Sequence, residues 1–105
     1  LYKICPTHAD AIHEYCFGTV WDRPNLDLKT REMIVMAAAA ALDLPHEVGL
    51  HVRGALNRGA NKDELIEVIL QCSPYIGFPK TNHALKAAQE IFDSWEAKKD
   101  DWKPL

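Results

Sequence analysis

The chain has 105 residues, enough for one domain, and 48% of them are hydrophobic, enough for a core and too many for a disordered chain. Its net charge of -3 comes from 12 basic and 15 acidic residues of interspersed sign. There is no basic stripe and no stacking array of aromatics, which argues against a nucleic-acid partner.

The start, LYKICPTHADAIHEY, lacks the charged and apolar regions of a secretory signal. It also lacks an initiator Met, so further N-terminal residues are expected before it. Residues 7–18 read as a first helix, with Ala9, Ile12, Tyr15 and Cys16 on one face and Gly18 weakening its end. WDRPNL, residues 21–26, is a loop, because Pro24 breaks helix and Asn25 suits a turn. Asp27 can cap the next helix, which runs to about Leu42. Its second half is apolar all round and is expected in the centre of the fold. The run Met33–Leu42 has ten residues, about half of the roughly 20 that a bilayer span needs, so no membrane partner is expected.

A third helix begins near Pro45 and ends at Arg58-Gly59, a basic residue followed by a C-cap glycine. Asn61-Lys62-Asp63-Glu64 resembles a capping box for a fourth helix carrying Leu65, Ile66, Val68, Ile69 and Cys72. Residues 74–79 read as a kinked turn or short helix. The last helix spans about Lys80 to Ala97, with Ala84, Leu85, Ala88, Ile91, Phe92 and Trp95 as its apolar stripe, and the tail KKDDWKPL is expected to fray. No strand or hairpin signal is present. Residues 1–105 therefore read as a single all-α domain, a bundle of five or so helices.

The chemistry concentrates in residues 44–61. Glu47 and His51 stand four residues apart on one helix face, a spacing that suits acid/base work and equally suits a surface ion pair worth a few tenths of a kcal/mol. His51 shares its face with Leu44, Val48 and Ala55, which favours a half-buried imidazole. Glu32 is the last charged residue before the apolar run, either a proton donor or acceptor at the edge of the core or a solvated first-turn carboxylate. Arg23, Arg31 and Arg53 are candidates for holding a carboxylate through a bidentate fork. Arg53 follows His51 by two residues, roughly the opposite helix face, where a subunit contact is the alternative. The histidine pairs His8/His13 and His46/His51 are spaced i,i+5, which does not match the usual helical metal pair, so no metal is expected. His83 could face a pocket or serve structure alone. Three cysteines without a CxxC point to reduced thiols and a cytoplasmic setting, with Cys16 and Cys72 in the core.

The stretches EYCFGTVWDRPNLDLKTRE (14–32), LPHEVGLHVRGALNRGANKDELIEVILQ (44–71) and YIGFPKTNHALKAAQEIF (75–92) resemble the carboxymuconolactone decarboxylase family. The resemblance covers nearly the whole chain after the first dozen residues. It implies the all-helical fold shared with alkylhydroperoxidase D-like proteins, assembly as a homotrimer or homohexamer, and active sites near subunit interfaces. It also implies cofactor-independent removal of CO2 from 4-carboxymuconolactone in aromatic catabolism, with a small carboxylate or lactone as the partner molecule.

The related peroxidase branch carries a Glu, a CxxC and a His. On this chain these fall on Glu32, on Leu44 and Glu47, and on His51. Both thiols are absent, so disulfide-based peroxidase chemistry is not expected. Glu32 resembles the peroxidase branch, and IGFP at 76–79 differs from a CGVP-like form in the decarboxylases; both put the substrate in question.

The expected mechanism uses His51 as proton donor or enolate stabiliser, Glu47 to orient it and Glu32 to shuttle the proton. Arg23, Arg53, Trp21 and His83 are the expected substrate-binding residues. A lactone- or keto-acid-processing enzyme of another substrate and a non-catalytic oligomeric module are the alternatives. Either enzyme reading requires a cleft where Glu47, His51 and an arginine converge.

Overall fold

The computed structural model describes residues 2–101. It contains five α-helices: α1 (Pro6–Ala11), which continues as a π-helical segment (Ile12–Val20), α2 (Leu28–Ala41), α3 (Pro45–Asn57), α4 (Lys62–Ile76) and α5 (Phe78–Asp101). There is no strand among the described residues, as the sequence pattern leads one to expect.

The caps follow the sequence. Asp27 Oδ1 accepts from the Thr30 amide at 2.7 Å and starts α2. Asn61 Oδ1 accepts from the Glu64 amide at 2.8 Å and starts α4. The capping box is only half made, because the Glu64 carboxylate turns to Lys29 Nζ at 3.0 Å and ties α4 to α2. Three boundaries differ from expectation. The first helix passes through Gly18 to Val20, and the Trp21 amide reaches back five residues to the Cys16 carbonyl at 2.9 Å, which marks the wider π turn. α4 carries Pro74 inside it and stops only at Gly77, whose φ of +91° favours glycine. α5 then starts at Phe78, with Pro79 in its first turn, and extends to Asp101. Residues 102–105 of the charged tail lie outside the described residues.

The core is built by α2 to α5. Met36, Val48, Val52, Leu65 and Ile69 are fully buried, with Ala39, Ala40, Ala55, Ala84 and Ala88 between them. The alanines let α2, α3 and α5 approach closely, and α2 packs against all three later helices. It is not buried all round, however, since Ile34 and Leu42 remain exposed on its outer edge. Cys16 and Cys72 are half-buried rather than in the core, and Cys5 is exposed.

The N-terminal segment stands apart. Only Ala9 of residues 6–20 is buried, while Tyr15 and Phe17 are exposed. The Cα radius of gyration is 15.3 Å, against roughly 13 Å for a compact chain of this length. Among the described residues no helix is long and apolar enough to cross a membrane.

Candidate active site

Helices α2 and α3 form the site. Capping at Asp27 and the first-turn Pro45 set where each helix begins, and Met36, Val48, Val52 and Ala55 pack the two together. Glu32 lies one turn into α2 and His51 two turns into α3, so the packed faces bring them side by side. His51 Nδ1 lies 3.0 Å from Glu32 Oε2. On the other side of the ring, His51 Nε2 lies 3.9 Å from Glu47 Oε2, beyond hydrogen-bond reach. Exposure grades the three side chains: Glu32 13%, His51 23% and Glu47 48%. The imidazole is half-buried, with an enclosed carboxylate on one nitrogen and an open one on the other.

The Trp21 ring covers one face of the imidazole, with centroids 6.2 Å apart and planes 20° from parallel. An aromatic ladder continues outward from Trp21 through Phe17 and His13 to Tyr2, each step 5.6–6.3 Å. The loop carrying Trp21 is held by Arg31, whose Nη2 donates to the Arg23 carbonyl at 2.7 Å. Arg31 Nη2 thus anchors the loop, while its Nε is buried without a hydrogen-bond partner among the described residues.

A cleft of about 650 Å³ opens beside this loop and is lined by Trp21, Arg23, Lys29 and Arg58 among others. Of the sequence candidates, Trp21 and Arg23 both line it. Glu32, Glu47 and His51 do not line the cleft; Trp21 is the residue common to both groups. Within this cleft, then, Arg23 is not brought together with the imidazole of His51 and its carboxylates. Lys29 and Arg58 were not among the sequence candidates. Arg58 reads locally as a helix C-terminus, and only the tertiary fold sets it against residues 21–29.

Two other candidates lie elsewhere. Arg53 lines a groove between α3 and α5, with Gly49, Glu90 and Ile91, and so faces away from the Glu32–His51 contact. His83 Nδ1 lies 2.8 Å from Asp43 Oδ1, at the far end of α2 from Glu32, with 55% of its side chain exposed. Asp43 itself has φ +57°, a left-handed turn conformation that Asp tolerates, and the His83 contact fixes its side chain. Among the described residues no three His, Cys, Asp or Glu side chains are grouped to hold a metal ion.

Comparison with known proteins is consistent with this arrangement of elements. A family model, described as the carboxymuconolactone decarboxylase family, matches residues 6–90. The chain is 42% identical over 81 residues to a 4-carboxymuconolactone decarboxylase of Acinetobacter baylyi, covering 77% of this chain and 60% of that protein. It is 33% identical over 95 residues to a nitrosuccinic acid decarboxylase of Metarhizium robertsii, covering 90% and 66%. An uncharacterised 15.0 kDa protein of Paracoccus denitrificans is 37% identical over 93 residues, covering 86% and 69%. The chain thus spans between 60% and 69% of the length of these relatives.

Proposed function

The chain belongs to the carboxymuconolactone decarboxylase family, and from that premise we propose that it is a cofactor-independent carboxy-lyase acting on 4-carboxymuconolactone or a close carboxylated lactone. The observation that carries the reading is the imidazole of His51 in contact with Glu32 through Nδ1 at 3.0 Å, stacked on Trp21, with Glu47 3.9 Å from Nε2.

Losing CO2 next to an unsaturated lactone breaks the bond between a ring carbon and its carboxylate. The electron pair moves into the conjugated lactone as a dienolate, and one proton must then reach carbon. His51, entering the step as the imidazolium with a proton on each nitrogen, supplies that proton from Nε2, the nitrogen turned away from Glu32, and becomes neutral. Nδ1–H stays on Glu32 throughout, so the ring keeps its orientation and returns to a single neutral tautomer. Glu47, the more exposed carboxylate, hands a replacement proton from solvent to Nε2. The distances thus favour an exchange of the roles expected from spacing: Glu32 orients and Glu47 relays. Arg23, helped by Lys29 and Arg58, holds a substrate carboxylate at the cleft, and Trp21, which both lines the cleft and stacks on His51, joins it to the imidazole.

A second reading, an open-chain activated carboxylate as substrate, is favoured by the relative named for nitrosuccinic acid. Both named substrates lose a carboxylate to leave a delocalised anion, so the same proton donor serves either. Assembly as a homotrimer or homohexamer completes the proposal, supported by the exposed Tyr15 and Phe17 on a segment with little packing of its own.

The test is CO2 release by the purified protein with 4-carboxymuconolactone and, separately, nitrosuccinate. Turnover of the lactone supports the first reading and turnover of nitrosuccinate alone supports the second. Turnover of neither by a folded protein overturns both.

A further inference from the structure

Gly54 lies inside α3, three residues after His51 and so on the same helix face. Glycine in a helix interior is ordinarily a poorer residue than alanine, because it loses more backbone freedom on folding. Its neighbourhood supplies a reason for its presence. A Cβ built at position 54 would stand 2.5 Å from Glu32 Cδ and 2.9 Å from Oε1, and would overlap Oε2, the oxygen that meets His51 Nδ1. The contrast is Gly49 on the same helix, where an added Cβ meets Ile91 Cγ1 at 3.4 Å, an ordinary contact. The three atoms nearest to that Cβ position all belong to the carboxylate of Glu32.

We infer that Gly54 is a positioning residue for the acid/base group: the missing side chain is the berth in which the Glu32 carboxylate lies to reach His51 Nδ1. The consequence is a statement about the imidazole. With Glu32 in its berth, the neutral ring carries its proton on Nδ1 and leaves Nε2 open toward Glu47. With a methyl group in the berth, Glu32 is pushed off the ring, Nδ1 loses its acceptor, and Glu47 becomes the only carboxylate beside His51. The preferred neutral tautomer then changes to Nε2–H. The catalytic meaning of this rests on the proposed function; the tautomer does not.

The experiment is imidazole 1H–15N correlation spectroscopy of the whole protein at a pH where His51 is neutral, comparing the wild type with Gly54→Ala and Gly49→Ala. The expected result is an Nδ1–H pattern for wild type and Gly49→Ala, and an Nε2–H pattern for Gly54→Ala. An Nδ1–H pattern retained in Gly54→Ala overturns the inference. If Gly54→Ala alone does not fold, the Glu32→Ala/Gly54→Ala double variant decides, because no carboxylate is then left to displace. A double variant that folds like Glu32→Ala supports the berth, and one as damaged as Gly54→Ala overturns it. In turnover, Gly54→Ala and Glu32→Ala are expected to show matching losses that do not add in the double variant. Failure of the assay in every protein, wild type included, counts against the decarboxylase reading while leaving the spectroscopic result standing.

Discussion

Glu32 on α2 and His51 on α3, 19 residues apart in sequence, meet through Oε2 and Nδ1 at 3.0 Å, while Glu47 on the same helix as His51 stays 3.9 Å away. The long-range partner, not the i,i+4 neighbour, is the one within hydrogen-bond reach. Removing its charge should therefore matter more. Glu32→Gln is expected to lower kcat by roughly 10²-fold or more, because without the charged acceptor the imidazole that donates the proton is no longer oriented for acid/base work. Glu47→Gln, more exposed and further away, is expected to cost less than roughly 10-fold. Parallel kcat measurements rank the two, and the reverse order would return the orienting role to Glu47.

Arg31 holds the loop that carries Trp21 and Arg23 through its bond to the Arg23 carbonyl. Arg31→Lys keeps the charge and loses the planar fork that makes this contact. The expected outcome is a several-fold rise in KM with a much smaller change in kcat, because the cleft wall loosens while the Glu32–His51 contact stays. An unchanged KM would mean that the loop is held by other contacts.

Asp27 gives an acid-dependent component of stability. Its carboxyl is held below the ordinary value of 3.8, first by the backbone N–H of Thr30 and then by the Thr30 hydroxyl. A folded-state value below the unfolded one means the charged cap stabilises the fold above about 3.8, and that this contribution fades as the pH falls through the lower, folded value. Denaturation midpoints of Asp27→Asn should lie below those of the wild type near neutrality and converge with them in strong acid. A gap that persists or widens in acid would contradict the cap's charge as the cause.

Buried and surface contacts between α2 and α4 should differ sharply in worth. Leu65 is fully buried among the core side chains, and Leu65→Ala should cost about 2–5 kcal/mol by chemical denaturation. The Lys29–Glu64 pair joins the same helices at 3.0 Å but is about one-third exposed at each end. Lys29→Met should change stability by no more than about 1 kcal/mol, since screening and side-chain entropy offset most of the attraction. A larger effect for Lys29 than for Leu65 would reverse this ranking.

Much of the fold was legible because its signals are local. Asp27, Asn61, Pro45 and Gly59 mark helix ends by chemistry that acts within one turn, and all four stand where the sequence sets them. The boundary around residues 74–79 is not local in this sense, because Pro74 is a breaker that tertiary packing overrides, leaving Gly77 to end the helix. The site was legible only in part. Glu47 and His51 announce themselves by spacing, but the closer Glu32 contact depends on how α2 packs on α3 and on an empty position at Gly54. Arg58 and Lys29 reach the cleft through the fold, and nothing within a turn of either points there. His83 and Arg53 lie apart from the Glu32–His51 contact, His83 beside Asp43 and Arg53 in the groove between α3 and α5, placements that one-dimensional spacing does not encode.

The most direct measurement is CO2 release from 4-carboxymuconolactone by the wild type and by His51→Gln, each verified as folded. With His51 as the proton donor, the wild type turns over and His51→Gln loses roughly 10²-fold or more in kcat. A folded His51→Gln protein that keeps turnover within a few-fold of the wild type would contradict the central role given to the imidazole.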